Sequence, residues 1–149
     1  MGHSYVSCII HYTFSTKERR PILAAGIRDR LWAYIGGIVR RNGMNPIAVG
    51  GAEDHAHVLV SLPSAIAVAK GVQLVKGGSS KWAGDELRLA DFQWQDGYGA
   101  FSVSVSGIGA SVEYIQNQLE HHRKVTFQEE FLAFLRKHGI EYDPRYVWG

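Results

Sequence analysis

The amino-acid sequence predicts a single α+β domain spanning residues 1–149, built on an antiparallel sheet. Three observations support this prediction. The length suits one domain, the composition of 46% hydrophobic and 20% charged residues is typical of globular proteins, and strand-like segments are interleaved with segments of helical periodicity. The same composition excludes a disordered chain, a collagen-like repeat and a coiled-coil rod. The apolar stretches are shorter than the ~20 residues that a membrane-spanning helix needs.

The first half of the chain predicts the order β-α-β-β. Segment 6–14 is rich in β-branched and aromatic residues, which favour strands. Segment 22–42 carries apolar residues at helical spacing, and Asn42 followed by Gly43 provides a stop signal. Segments 46–50 and 55–62 are apolar runs joined by the short turn 51–54. We therefore expect a helix followed by a β-hairpin.

The second half adds one more α-β pair and then helices. Segment 66–82 has apolar residues on one helical face, residues 85–99 form a polar loop, and segment 100–106 alternates as a half-buried strand does. A helix from Ser111 to about Lys124 and another near 127–138 complete the chain. The order β-α-β-β-α-β followed by helices is that of the split βαβ motif. The sequence thus predicts a ferredoxin-like (RRM-like) sheet with additional C-terminal helices.

Charge is distributed unevenly although the net charge is only +2. Residues 1–81 contain ten Lys and Arg against four acidic residues, while residues 82–149 contain six against ten. A basic first half is compatible with a polyanionic partner, and an ordinary surface can show the same bias. The one cysteine, Cys8, cannot form an internal disulfide, which indicates a reducing compartment. We expect a cytoplasmic protein.

His55-Ala56-His57 is the most specific local motif. On a strand, alternate side chains project from the same face, so the two imidazoles lie close enough to share a cation. Neutral imidazoles bind divalent metals well, but a third ligand must come from elsewhere in the chain. The alternative is a solvated polar face. A nucleotide-hydrolase triad of alternating histidines is excluded because Leu59 occupies the next position.

Tyr114 and Gln118 are four residues apart on a predicted helix and therefore share one face. Tyrosine can attack phosphodiesters and form a covalent phosphotyrosine. The glutamine carbonyl oxygen is an acceptable ligand for Mg²⁺ or Mn²⁺. The alternative is an interfacial tyrosine and a surface glutamine. His121 and His122 follow at helical spacing, but they point in different directions and we assign them no role.

The combination of these residues resembles the HUH-type single-tyrosine transposases of small bacterial insertion sequences, which are related to REP-associated tyrosine transposases. The resemblance covers essentially the whole chain. It includes segments 14–21 (FSTKERRP), 76–82 (KGGSSKW) and 94–103 (WQDGYGAFSV). One position departs from the family pattern: Ala56 stands where the family usually has a bulkier hydrophobic residue.

The resemblance implies a reaction on single-stranded DNA carrying hairpins at the ends of a mobile element, in a bacterial or archaeal cytoplasm. Tyr114 would form a 5′-phosphotyrosine, and His55, His57 and Gln118 would hold one Mg²⁺ or Mn²⁺. The family also implies a homodimer whose subunits can share active sites. The residues expected to contact the DNA backbone are Lys17, Arg19, Arg20, Lys76, Ser79, Ser80 and Lys81.

Two other functions remain open from the sequence. A rolling-circle-type nickase would use similar chemistry, but such proteins usually carry further domains for which 149 residues leave no room. A non-catalytic ferredoxin-like module could bind nucleic acid as a regulator, because this scaffold hosts many functions. Formation of a covalent protein–DNA adduct distinguishes the transposase from the binding module.

Overall fold

The computed structural model describes residues 2–148, which form a four-stranded antiparallel sheet with helices on both faces. The sheet order is β2-β3-β1-β4, so the ferredoxin-like topology is confirmed. The elements are β1 (Ile9–Ser15), α1 (Ala25–Arg41), β2 (Asn45–Gly51), β3 (His55–Ser61), α2 (Val68–Glu86), β4 (Gly99–Val103), α3 (Ile108–Gln116), α4 (Gln118–His121) and α5 (Phe127–Lys137). Short 3-10 turns occupy Lys17–Arg19 and Val105–Gly107.

The two faces of the sheet bury different kinds of residue. Alternate side chains of the central strands β1 and β3 point towards α1 and α2 and form the main core, including Tyr12, Phe14 and Val58. The opposite face carries His11 on β1 and both histidines of β3, and α3, α4 and α5 lie over it. Every residue of β1 is buried. The polar side chains of this second face are therefore held between two layers.

Strands β1 and β4 are shorter than the sequence predicts. Ile9 of β1 pairs with Ser61 of β3 and with Val103 of β4, and both ladders end there. The described residues before Ile9, and those directly after Val103, therefore lie outside both ladders. The alternating pattern of 100–106 continues past that point, but the chain turns into the 3-10 segment instead.

The prediction of one continuous helix over 111–124 is wrong, because the structure divides this segment into two helices. Helix α3 begins at Ile108 and ends at Gln116, and Asn117 leaves helical geometry with φ −99° and ψ 21°. The chain then forms the short helix α4. This break rotates the residues after Asn117 relative to those before it. It decides which of the following side chains meet the sheet.

Helix α5 is defined by local signals at both ends. The Thr126 hydroxyl accepts a hydrogen bond from the Glu129 amide, and the Glu129 carboxylate accepts one from the Thr126 amide, which is a capping box. Gly139, at φ +65°, follows the end of the helix. The apolar face of α5 packs on Phe101 of β4. Among the described residues, no helix is both long and apolar enough to cross a membrane.

Candidate active site

The histidine pair lies at the start of β3, on the face covered by the C-terminal helices. His55 and His57 project from the same side of the strand, as predicted, and both are fully buried. Gly51 makes the preceding turn possible. It has φ +152°, and a Cβ there would lie 2.2 Å from the His55 carbonyl oxygen. The close return of the hairpin onto His55 thus requires glycine.

Hydrogen bonds to the far nitrogen of each imidazole orient both rings. His55 Nδ1 lies 2.8 Å from Asp54 Oδ1 and donates to it, so that Nε2 faces inward. His57 Nδ1 lies 2.7 Å from Nε2 of His11 on β1. Burial lowers the pKa of His11 to about 3 and also lowers the pKa of His57, so both are neutral at pH 7. Such outer hydrogen bonds are typical of metal-ligating histidines.

Gln118 brings a carbonyl oxygen to the His55 ring. Gln118 Oε1 lies 2.9 Å from His55 Nε2, and the amide is oriented by a 3.3 Å hydrogen bond from its Nε2 to the Tyr114 carbonyl. Because His55 Nδ1 already donates to Asp54, a neutral His55 would present a lone pair to another acceptor. A cation bound between His55 Nε2 and Gln118 Oε1 would use both of these lone pairs.

Glu130 of α5 completes the cluster and was missed by the sequence analysis. Its side chain is 2% exposed. Oε1 lies 2.9 Å from His57 Nε2 and 3.8 Å from His55 Nε2, while Oε2 accepts a hydrogen bond from the Tyr114 hydroxyl and lies 3.1 Å from His122 Nε2. Burial alone would raise the pKa of Glu130, but the hydrogen bond from His122 and the close approach of the His57 and His55 rings hold that pKa well below its usual range. The carboxylate is therefore ionised.

The donor atoms present fit a divalent cation. Ligand atoms of His55, His57, His122 and Glu130 all lie within 4.8 Å of one another. His57 Nε2 and Glu130 Oε1 are buried and have no hydrogen-bond partner, although they lie only 2.9 Å apart. Ligand atoms at right angles around an ion with bonds of ~2.1 Å are separated by about 3 Å. Two unpaired donors at this spacing match neighbouring positions around one ion.

The Tyr114 hydroxyl points into this cluster from α3. Burial, together with the charge of Glu130 and its hydrogen bond, raises the pKa of Tyr114 well above its usual range, so the hydroxyl is protonated. The hydroxyl also lies 3.3 Å from His121 Nε2. Both Tyr114 and Glu130 line an open cavity of about 520 Å³. The tyrosine, the histidine pair and Gln118 thus meet within one chain.

Sequence signals existed for two of the missed residues. Glu130 lies on the apolar face of α5, and an ionisable residue in such a stripe signals a specific partner. His122 is adjacent to His121, and only the break at Asn117 decides that His122 is the more buried of the two. The third missed residue, His11, pairs with His57 through the register of two strands that are distant in sequence. No local pattern indicates this contact.

Most of the residues expected to contact DNA lie at the surface. Lys17, Arg20 and Lys81 are exposed, and Arg20 pairs with Glu18 at 3.1 Å. Arg19 is half-buried and lies over the ring of Trp148, with its guanidinium carbon 5.5 Å from the ring centroid. Ser80 is half-buried on α2.

Lys76 and Ser79 occupy a different environment from the one predicted. The Lys76 ammonium donates to three carbonyls of residues 95–97, at 2.6, 3.1 and 2.8 Å, and burial lowers its pKa. Ser79 is fully buried, donates to the Val75 carbonyl at 2.6 Å and accepts from Trp94 Nε1 at 2.9 Å. Both residues hold the loop before β4 against α2. In this structure neither is presented to a ligand at the surface.

Comparison with known proteins agrees with this geometry. Residues 4–118 match the family described as "Transposase IS200 like". A transposase from Deinococcus radiodurans R1 shares the fold with a TM-score of 0.61 and 23% identity, covering 79% of this chain and 96% of that one. A REP-associated tyrosine transposase solved with a REP hairpin has a TM-score of 0.61 and 18% identity, covering 95% of this chain and 87% of that one.

Among curated proteins, none matches the sequence. The two solved structures, at their low identity, establish the fold alone. The family match is independent of them and spans well over half of the chain. The residues that it covers include the histidine pair, Tyr114 and Gln118, which the structure brings together. The chain therefore belongs to the family of IS200-like transposases.

Proposed function

We propose that the chain is a metal-dependent transposase that cleaves and rejoins single-stranded DNA through Tyr114. One observation carries this proposal: the Tyr114 hydroxyl shares a buried cluster with the Nε2 atoms of both strand histidines and with Gln118 Oε1. A nucleophile beside a divalent-ion site is the arrangement that phosphoryl transfer requires. Membership of a transposase family supplies the class of reaction.

In the cleavage step, the Tyr114 oxygen bonds to the scissile phosphorus and the bond from phosphorus to the 3′ oxygen breaks. The products are a 5′-phosphotyrosine and a strand that ends in a 3′-OH. Strand transfer is the reverse reaction, in which a 3′-OH from another DNA end attacks the phosphotyrosine and releases the Tyr114 hydroxyl. The phosphotyrosine conserves the bond energy, so rejoining needs no nucleotide cofactor.

His55, His57 and Gln118 would hold one Mg²⁺ or Mn²⁺. When bound, the ion would polarise a non-bridging oxygen of the scissile phosphate and stabilise the charge that develops in the transition state. Asp54 and His11 keep the two ring Nε2 atoms directed at this site. The orientation of both rings is thus built into the fold before DNA binds.

The expected DNA ligand is a single strand with hairpins at the element ends. A REP hairpin is the ligand of one protein with this fold, which supports a hairpin here too. The basic residues near the 3-10 turn after β1 and on α2 would contact the DNA backbone. These are Lys17, Arg19, Arg20 and Lys81, with Ser80 beside them. We also expect a homodimer, which light scattering would detect.

A covalent adduct tests the proposal directly. Wild-type protein incubated with single-stranded DNA from its own element ends and Mn²⁺ or Mg²⁺ should form a denaturant-stable protein–DNA adduct. Tyr114→Phe should form none, whereas Tyr146→Phe, which alters a tyrosine that is 71% exposed, should react as wild type. His57→Ala should abolish cleavage and leave hairpin binding largely intact. Hairpin binding without any wild-type adduct would instead favour a non-catalytic regulator.

A further inference from the structure

We propose that Glu130 of α5 is an additional ligand of the metal through Oε1 and positions the Tyr114 hydroxyl beside the metal through Oε2. This inference rests on the proposed function, in which the strand histidines hold the ion. Glu130 lies beyond residue 118, where the family match ends. The role therefore comes from this chain's own C-terminal helix.

The metal-ligand role of Glu130 rests on an oxygen atom without a hydrogen-bond partner. Glu130 Oε1 is buried without a hydrogen-bond partner, and it lies 2.9 Å from His57 Nε2 and 3.8 Å from His55 Nε2. Leaving one oxygen of an ionised, buried carboxylate unsatisfied is costly. A cation shared with the two imidazoles removes that cost. No other described group within hydrogen-bonding geometry does so.

The positioning of Tyr114 rests on the other oxygen of the same carboxylate. Glu130 Oε2 accepts the hydrogen bond of the Tyr114 hydroxyl and lies 3.1 Å from His122 Nε2 and 3.2 Å from His121 Nε2. The two carboxylate oxygens are joined through a single carbon atom. A carboxylate that binds the ion on one side and the nucleophile on the other therefore sets the distance between them.

The capping and packing of helix α5 fix the position of this carboxylate. The capping box at Thr126 fixes its first turn, and Phe127 and Phe131 pack into the cluster that includes Phe101 of β4. Phe127, three residues before Glu130, lies on the same helical face as Glu130. A Glu130→Gln substitution keeps the volume of the side chain and removes its charge, so this packing is retained.

Metal affinity without DNA tests the ligand role. Titration calorimetry of metal-free protein with Mn²⁺ should show an affinity loss of at least about 10- to 100-fold for Glu130→Gln, because loss of a residue that merely hydrogen-bonds to a metal ligand already costs that much. The matched control is Glu120→Gln, which alters a carboxylate on α4 that is 68% exposed and pairs with Arg123. It should bind Mn²⁺ as wild type does. Affinity of Glu130→Gln within twofold of wild type would overturn the ligand role.

A second variant keeps the test decisive if Glu130→Gln unfolds. Glu130→Asp preserves the charge and withdraws the carboxylate by one methylene, so its Mn²⁺ affinity should fall by a smaller factor than that of Glu130→Gln. Circular dichroism establishes that each variant is folded before titration. A folded Glu130→Asp protein that binds Mn²⁺ as tightly as wild type would also overturn the ligand role.

The positioning role is read from kinetics at saturating Mn²⁺. We expect Glu130→Gln to lower kcat for adduct formation and to leave KM for the DNA unchanged, because the basic surface residues are untouched. Wild-type kcat in this variant would overturn the positioning role. The outcomes also separate the two proposals. If Mn²⁺ binding depends on Glu130 but the wild-type protein forms no adduct, only the proposed function is refuted. If the wild-type protein forms the adduct but Mn²⁺ binding does not depend on Glu130, only this inference is refuted.

Discussion

The approach of α3 to the sheet depends on Gly50 of β2, and Gly50→Ala should weaken both folding and catalysis. A Cβ at Gly50 would lie 2.8 Å from the Ile115 carbonyl oxygen and 2.8 Å from Ile115 Cγ2. Ordinary contact begins at 3.4 Å, so the methyl group would be about 0.6 Å too close to both atoms. Ile115 directly follows Tyr114, so any displacement of this turn moves the nucleophile.

The size of the effect follows from which atoms are too close. One of them is a backbone oxygen inside a helix, so rotation of a side chain cannot relieve the contact and α3 must move. Overpacking of this kind costs about 1–3 kcal/mol of unfolding free energy. Misplacement of a reacting group by ~1 Å can cost on the order of 100-fold in rate. For a shift of about 0.6 Å we expect a loss of at least ~10-fold in adduct formation.

Equilibrium urea denaturation measures the first quantity, and the rate of covalent adduct formation at saturating Mn²⁺ measures the second. Gly37→Ala is the matched control, because a Cβ there meets nothing within 4 Å and the residue lies inside α1. It should raise stability by about 0.5–1 kcal/mol and leave the adduct rate unchanged. Wild-type stability and adduct rate in Gly50→Ala would refute the argument that this glycine sets the position of α3.

Two further predictions concern stability in EDTA. Acidification from pH 7 to pH 5 should lower the unfolding free energy by at least about 2 kcal/mol. His11 has a pKa of about 3 when folded and 6.5 when unfolded, so it stays neutral in the native state while the unfolded chain takes up a proton. Burial also lowers the pKa of His57, which adds to this loss. Glu130 contributes little there, since its pKa lies below that window in both states. Equal urea midpoints at the two pH values would contradict this reasoning. Lys76→Met should lower the unfolding free energy by about 1–3 kcal/mol, because three hydrogen bonds to the loop before β4 are lost. The control Lys81→Met alters an exposed lysine and should change the unfolding free energy by less than about 0.5 kcal/mol. Equal thermal stability of these two variants would show that the loop does not depend on Lys76.

The order of the elements along the chain and the shared face of the histidine pair were predictable because they follow from local sequence patterns. Side chains at positions 55 and 57 share a face on any strand, since the repeat of a strand is two residues. The succession of β-branched segments and helical periodicities likewise led to the topology that the structure confirms. The spacing of Tyr114 and Gln118 indicated a shared helical face, and the family resemblance suggested their roles. They meet the histidines even though α3 ends before Gln118.

The remaining members of the site depend on contacts between distant segments. His11 reaches His57 only through the register of β1 on β3, and Glu130 reaches both Tyr114 and His57 only because α5 packs across β4. The burial of Lys76 likewise depends on how the loop before β4 folds onto α2. Sequence spacing determines which face of an element a side chain occupies. The packing of whole elements, driven by burial of apolar surface, decides which faces meet, and here it alone placed a carboxylate between the nucleophile and the histidines.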